Sequence, residues 1–187
     1  MRQAVGLPEW QVAEPRCWHE PAKRYNDHMP LTRKPYATME GQGAPAVRQI
    51  SVFVENRLGQ LLNITQLFER QDIRMLSISI VDLVDCAVVR LLFDAADEAI
   101  RILRDAGYNV TVTEVVVVRL PKGKRGLLTV WSALLGAEIS VAYAYPLLPT
   151  QKGSAIALYV DNVDLAIDTL RMHNFEVLDE SDLQQDM

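Results

Sequence analysis

The sequence predicts an α+β protein made of two βαββαβ units in tandem, antiparallel sheets with helices on one face, preceded by a separate N-terminal segment. Three observations carry this expectation. From Arg48 onward the chain repeats itself with an offset of about 67 residues. Within each copy, apolar runs of strand length alternate with stretches of helical period. Residues 1–47 show neither period, yet they hold six of the nine prolines and the tryptophans Trp10 and Trp18.

The repeat rests on many matched positions. Gly59 matches Gly126, Leu61 matches Leu128 and Leu67 matches Leu134. One residue drops out near Asp72, so Ile73 matches Ile139. Further on, Asp94 matches Asp161, Ala99-Ile100 matches Ala166-Ile167, Leu103-Arg104 matches Leu170-Arg171, and Tyr108 matches Phe175.

Each element follows from its local pattern. The first strand is Gln49–Val54, with Val115–Leu120 as its counterpart. A helix follows over Gln60–Gln71, its apolar face set by Leu61, Ile64, Leu67 and Phe68 at spacings of three and four. The second copy uses Leu128, Trp131, Leu134 and Leu135. In Met75–Val81, Ser77 and Ser79 alternate with Ile78 and Ile80, the mark of a half-buried strand. Ala87–Phe93 is the next strand. Asp94 stands at an N-cap position, the second helix runs to Ala106, and Gly107 ends it. The last strand starts at Tyr108 and runs without a breaker into the first strand of copy two. Helices with one apolar face cover one side of a sheet, and right-handed crossovers then give the ferredoxin-like arrangement. Domains are expected at 48–114 and 115–187, packed rigidly with their sheets side by side. Residues 1–47 are expected to be a poorly ordered extension. Its aromatic residues make it either a docking arm or a stretch upstream of a true start at Met29 or Met39.

Composition bounds the function. The formal net charge is −5, with 49% hydrophobic and 23% charged residues. An acidic balance argues against a nucleic-acid partner. No apolar run reaches the ~20 residues of a membrane-spanning helix, so no membrane partner is expected. The first residues, MRQAVGLPEWQVAEP, show no apolar h-region, so no signal peptide is expected. The two cysteines, Cys17 and Cys86, are far apart and read as reduced thiols of a cytoplasmic protein.

Catalytic signatures do not emerge from the sequence. His173, beside Asn174 at a helix end, reads as a surface histidine rather than a base. No nucleophile motif, HExxH or metal-ligand spacing is found, so no enzyme activity, cofactor or metal is expected. Lys122-Gly123-Lys124-Arg125-Gly126 is basic and glycine-rich but lacks the Lys-Ser/Thr pair of a phosphate loop. It is either a solvated turn or an anion contact at the following helix N-terminus.

The informative stretch is Glu55-Asn56-Arg57-Leu58-Gly59-Gln60-Leu61, where a strand stops and a helix starts at once. The first backbone N–H groups of that helix lack helical partners and carry partial positive charge, which suits a carboxylate. Asn56 offers a donor and an acceptor, which suits an amino group and a carboxylate together. The competing reading is that Asn56 caps the helix and Gly59 only makes the turn.

A strand ending in ENRxG, followed by a hydrophobic helix closing on Asp-Ile, resembles the ACT domain, the small regulatory module of amino-acid metabolism. The likeness spans both copies, from about Arg48 to Leu183, and is stronger in the first. The double unit resembles the stand-alone tandem ACT proteins of bacteria. The resemblance implies a non-catalytic, allosteric protein that binds a free amino acid, forms a homodimer and signals to a partner enzyme or regulator. The alternatives are a regulatory subunit of a biosynthetic enzyme such as acetolactate synthase, and a dimerisation module without ligand. The family's loop asparagine falls on Asn56 and its turn glycine on Gly59. The usual proline before that glycine is Leu58, and a loop histidine seen in some members falls on Val54. A polar ligand from the start of the second strand falls on Arg74, and on Ser140 in copy two. The copy-two loop, with Arg125, Gly126 and Leu127 at the helix start, has Gly123 in place of Asn56, so copy two supplies a wall rather than a site.

Overall fold

The computed structural model describes residues 46–83, 86–149 and 152–185. The expectation for the N-terminal extension lies outside the described residues. The first copy consists of β1 (Val47–Glu55), α1 (Gln60–Phe68), β2 (Met75–Asp82), β3 (Cys86–Phe93) and α2 (Ala96–Asp105). β4 (Asn109–Arg119) is shared. The second copy continues with α3 (Gly126–Gly136), β5 (Val141–Pro146), β6 (Ala155–Val160), α4 (Val163–Met172), β7 (Val177–Leu178) and a short α5 (Glu180–Gln185). The α+β class and the paired βαββαβ plan are as the sequence predicts.

The strands form one path in the order β2-β3-β1-β4-β6-β5, with β7 also against β4. All pairings are antiparallel. β4 serves both copies: its residues Asn109–Val115 pair with β1, while Val116–Arg119 pair with β6.

The halves are continuous through β4, but they do not simply lie side by side. Apolar residues alternate onto both faces of each half-sheet. On β1 and β3, Ile50, Val52, Leu91 and Phe93 pack with Ile64 and Phe68 of α1 and Ala99 and Leu103 of α2. On β4 and β6, Val116, Val118, Ile156 and Leu158 pack with Val130 and Leu134 of α3 and Ile167 and Leu170 of α4. The opposite faces meet each other: Leu76, Leu92, Val115 and Val117 share a third core with Tyr145, Leu147, Ala155 and Ala157. β3 and β5 are far apart along the strand order, so this contact requires the sheet to fold over at β4. The result is four layers, helices outside and two half-sheets between. The side-by-side expectation missed it because the helix faces were the only burial the periodicity displayed.

A polar group lies inside the third core. Gln49 is fully buried. Its amide nitrogen, with two hydrogens to donate, faces three acceptors: Tyr143 Oη at 2.9 Å, Thr113 Oγ1 at 3.0 Å and Ser51 Oγ at 3.1 Å. Tyr145 Oη donates to its oxygen at 2.8 Å. Burial pushes the Tyr145 hydroxyl up, with Tyr143 adding to the effect, which keeps it a donor. The Arg90 guanidinium lies 4.0 Å from the centre of the Tyr143 ring. Backbone and side-chain bonds complete the joint: Leu148 N–H to the Leu76 carbonyl at 2.8 Å, and Ser77 Oγ to the Pro146 carbonyl at 2.7 Å. These bonds are specific in direction, so they fix one register between the half-sheets where apolar packing alone would allow several.

Four local expectations are corrected. β2 buries Leu76 and Ser77, while Ile78 and Ile80 are exposed on the edge of the sheet. On α1, Ile64 and Phe68 are buried but Leu61 is exposed. Asp94 does not cap α2, whose N-cap is Ala95 without a side-chain bond. Its carboxylate instead accepts from the Arg74 N–H at 2.9 Å, tying the start of β2 to the end of β3. In copy two the cap is Asn162, which accepts from Leu165 N–H at 3.1 Å, and Asp161 accepts from Ser140 N–H at 3.2 Å. The face of α3 is also rotated by one residue from expectation. Val130, Ala133 and Leu134 are its buried positions, whereas Leu128 and Leu135 are exposed. A helix apolar on nearly every side, LLTVWSALL, does not display which face is inward.

Candidate functional site

The rotation of α3 changes how the two β–α loops correspond. Buried positions match at an offset of 66 throughout the first half of the repeat: Ile50 with Val116, Ile64 with Val130, Phe68 with Leu134. Copy two therefore carries Lys122 opposite Asn56, and Arg125 opposite Gly59. Gly126 is not the counterpart of the turn glycine. It is buried in the first turn of α3, where a Cβ would run into the Pro121 carbonyl oxygen. The left-handed glycine of this loop is Gly123, at φ 111°.

In copy one, the loop residues Asn56, Arg57, Leu58 and Gly59 are exposed, and Leu58 projects fully into solvent. Gly59 adopts φ 91° and is the N-cap of α1, with no side-chain cap bond. Asn56 therefore does not cap the helix. Its amide nitrogen donates to Asp82 Oδ1 at 2.8 Å. β1 and β2 both run antiparallel to β3, so their C-terminal ends lie at the same edge, which brings Asp82 to the loop. Asp82 was not among the residues singled out from sequence; only the strand directions bring it there. Arg57 pairs with Glu55 at 2.9 Å. Gln60 and Leu61 form the first turn of α1; the Gln60 N–H donates to the Arg57 carbonyl at 3.4 Å, and the Leu61 N–H opens toward the loop side. The site thus sets a carboxylate and an amide oxygen near an uncapped helix N-terminus.

Arg74 does not join this group within the chain. It precedes β2, at the opposite end of the sheet from Asn56, and its guanidinium is 3.4 Å from Asp94. Ser140 occupies the same place before β5 and bonds Asp161 in the same way. In copy two, Gly126 and Leu127 line a cleft of about 640 Å³, while Arg125 is the N-cap of α3. His173 is the C-cap residue of α4, its Nδ1 2.8 Å from the Thr169 carbonyl. Among the described residues no group of three His, Cys, Asp or Glu side chains is placed to hold a metal. No helix among them is long and apolar enough to cross a membrane.

Residues 45–187 match the family model described as an ACT domain pair. This chain belongs to the ACT domain pair family. The protein BT0572 from Bacteroides thetaiotaomicron has a similar structure, with TM-score 0.70 and 24% identity over 77% of this chain and 99% of that one. The ligand-free regulatory subunit of aspartate kinase from Thermus thermophilus is similar at TM-score 0.50 and 12% identity, over 68% of this chain and 92% of that one. At these identities the two structures support the fold of the ACT pair and nothing finer. No curated protein sequence matches the chain.

Proposed function

We propose that this ACT domain pair is a non-catalytic regulatory protein that binds a free amino acid at the Asn56 loop and passes its occupancy to a partner enzyme. The observation that carries the reading is the contact of Asn56 with Asp82 at 2.8 Å beside the uncapped start of α1. An amino acid presents an ammonium and a carboxylate on one carbon. The Asp82 carboxylate and the Asn56 amide oxygen suit the first; the partial positive charge at the start of α1, with the Leu61 N–H, suits the second. Arg57 stands nearby for a second carboxylate contact. The loop is open on its outer side, and the adjacent β2 is an edge strand whose Ile78, Ile80 and Val81 are exposed, as is Leu83 just past it. A second copy of the chain set along that edge would cover these residues and close the site, which supports a homodimer. Arg74, just before β2, would then be offered from a neighbouring chain rather than from its own. The reading places the protein in the cytoplasm, with the biosynthetic pools of amino acids. A thermal-shift screen of the full chain against the twenty amino acids tests it, because a ligand that binds only the native state raises the melting temperature. A rise with one amino acid or one chemical group of them is expected; no rise with any at millimolar concentration counts against the reading.

A further inference from the structure

The cleft of copy two is not explained by amino-acid binding at Asn56. It lies at the end of the second half-sheet, and its floor is Arg119-Leu120 at the end of β4. Two flanking segments hold that floor: Leu120 N–H donates to the Ser154 carbonyl at 2.8 Å, and Arg119 N–H to the Glu176 carbonyl at 2.9 Å. The Pro121–Gly126 loop and the start of α3 form one side. Gly123 and Gly153 are both in the left-handed region, at φ 111° and 125°, so the backbone on both sides approaches the opening without side chains.

The lining is strongly one-sided in charge. Lys122, Lys124 and Lys152 border it, and Arg119 is nine-tenths buried beneath them. The one carboxylate in the lining, Glu176, is 2.9 Å from Arg119 Nε, so its charge is already met. This basic ring stands on a chain of net charge −5, so it is a local feature and not a general one. The rest of the wall combines the apolar Leu120, Pro121, Leu127 and Phe175 with the neutral polar Ser154 and Asn174. A volume of about 640 Å³ is far more than an inorganic anion fills and lies within the usual range for small-molecule sites.

We propose that this cleft is a second ligand site, which takes a phosphate-bearing small molecule of nucleotide size. The lysines meet the phosphates, and Phe175 and Leu127 meet the apolar or planar body. Such a site is separate from the Asn56 loop, and each can fail without the other.

Calorimetric titration of the full chain with adenosine triphosphate, adenosine monophosphate, adenosine and inorganic phosphate tests it. Affinity is expected to fall from triphosphate to monophosphate, to vanish for adenosine, and to weaken as salt rises. Reversing the lysines (Lys122→Glu, Lys124→Glu, Lys152→Glu) is expected to weaken the triphosphate at least about tenfold with an unchanged melting temperature. Asn56→Ala is expected to leave it unchanged. Three results would overturn the proposal: no heat with either nucleotide, inorganic phosphate binding as tightly as the triphosphate, or the triple variant binding as wild type.

Discussion

Asn56 and Gly59 make different contributions to one loop, and substitutions should separate them. Gly59 sits at φ 91°, and a Cβ added there meets no neighbour within 4 Å. The cost of Gly59→Ala is therefore conformational, about 1–2 kcal/mol from forcing a left-handed residue. Chemical denaturation of that variant measures it, and a loss near zero would show that the loop shifts freely. Gly126→Ala should behave otherwise. Its Cβ meets the rigid Pro121 backbone, so the loop must move, at a cost of roughly 1–3 kcal/mol. Asn56, Gly59 and the helix start were legible in the sequence because a polar break between strand and helix has few structural reasons. Asp82 was not legible, because its place depends on the relative direction of two strands. The cleft was legible only in part: residues 122–126 read as a solvated turn or an anion contact, but the lining also takes residues 152–154 and 174–176, which only the fold brings there.

At the level of elements, the C-terminal helix ties copy two to copy one. Glu180, at the start of α5, accepts from Arg48 Nε and Nη2 of β1, both at 2.8 Å. It also accepts from the Arg48 backbone N–H at 3.1 Å. These bonds hold the Glu180 carboxyl below its usual range, partly opposed by burial. Asp97 on α2 takes the other side of the same guanidinium and is lowered too. A depressed folded-state pKa adds stability that is complete above the unfolded value near ~4.3 and is lost as pH falls through the folded one. Unfolding by urea from pH 7 to pH 3 should therefore show wild type more stable than Glu180→Gln by about 1 kcal/mol at pH 7, with the gap closing below pH ~4. A constant gap would mean that the bond geometry matters and the charge does not. This helix was absent from the sequence reading. Six residues with one buried side chain, Leu183, are too short to show a period, and only Asp179 announces it, accepting from Asp182 N–H at 2.8 Å. The longer elements were legible as helices and strands from their turns and alternations, but not always in their inward face: α3 is apolar nearly all round, β2 buries Leu76 and Ser77 while exposing Ile78 and Ile80, and Leu61 of α1 is exposed.

For the whole molecule, the repeat predicted two units and the unbroken Asn109–Arg119 run predicted their continuity. The fold-over of the sheet was hidden because its polar fastening, Gln49 with Tyr143 and Tyr145, joins residues some 95 positions apart. Removing that fastening should loosen the joint: Gln49→Leu leaves two tyrosine hydroxyls with a lost partner and should cost about 1–3 kcal/mol. Heteronuclear spectra of the variant should then show changes in both copies; changes confined to the first would mean that the apolar contacts suffice. On the same scale, the exposed β2 edge predicts a dimer mass by light scattering at tens of micromolar, which Ile80→Lys should convert to a monomer mass.

We assign Asn56 to an amino-acid site, and calorimetric titration tests that assignment. The titrant is the amino acid that most raises the melting temperature, and the proteins are wild type, Asn56→Ala and Lys124→Ala. Loss of the Asn56 contacts should weaken binding roughly tenfold to a hundredfold, as a charge-assisted bond of on the order of 1.5–3 kcal/mol requires, while Lys124→Ala binds as wild type. Equal affinity in wild type and Asn56→Ala would contradict the assignment.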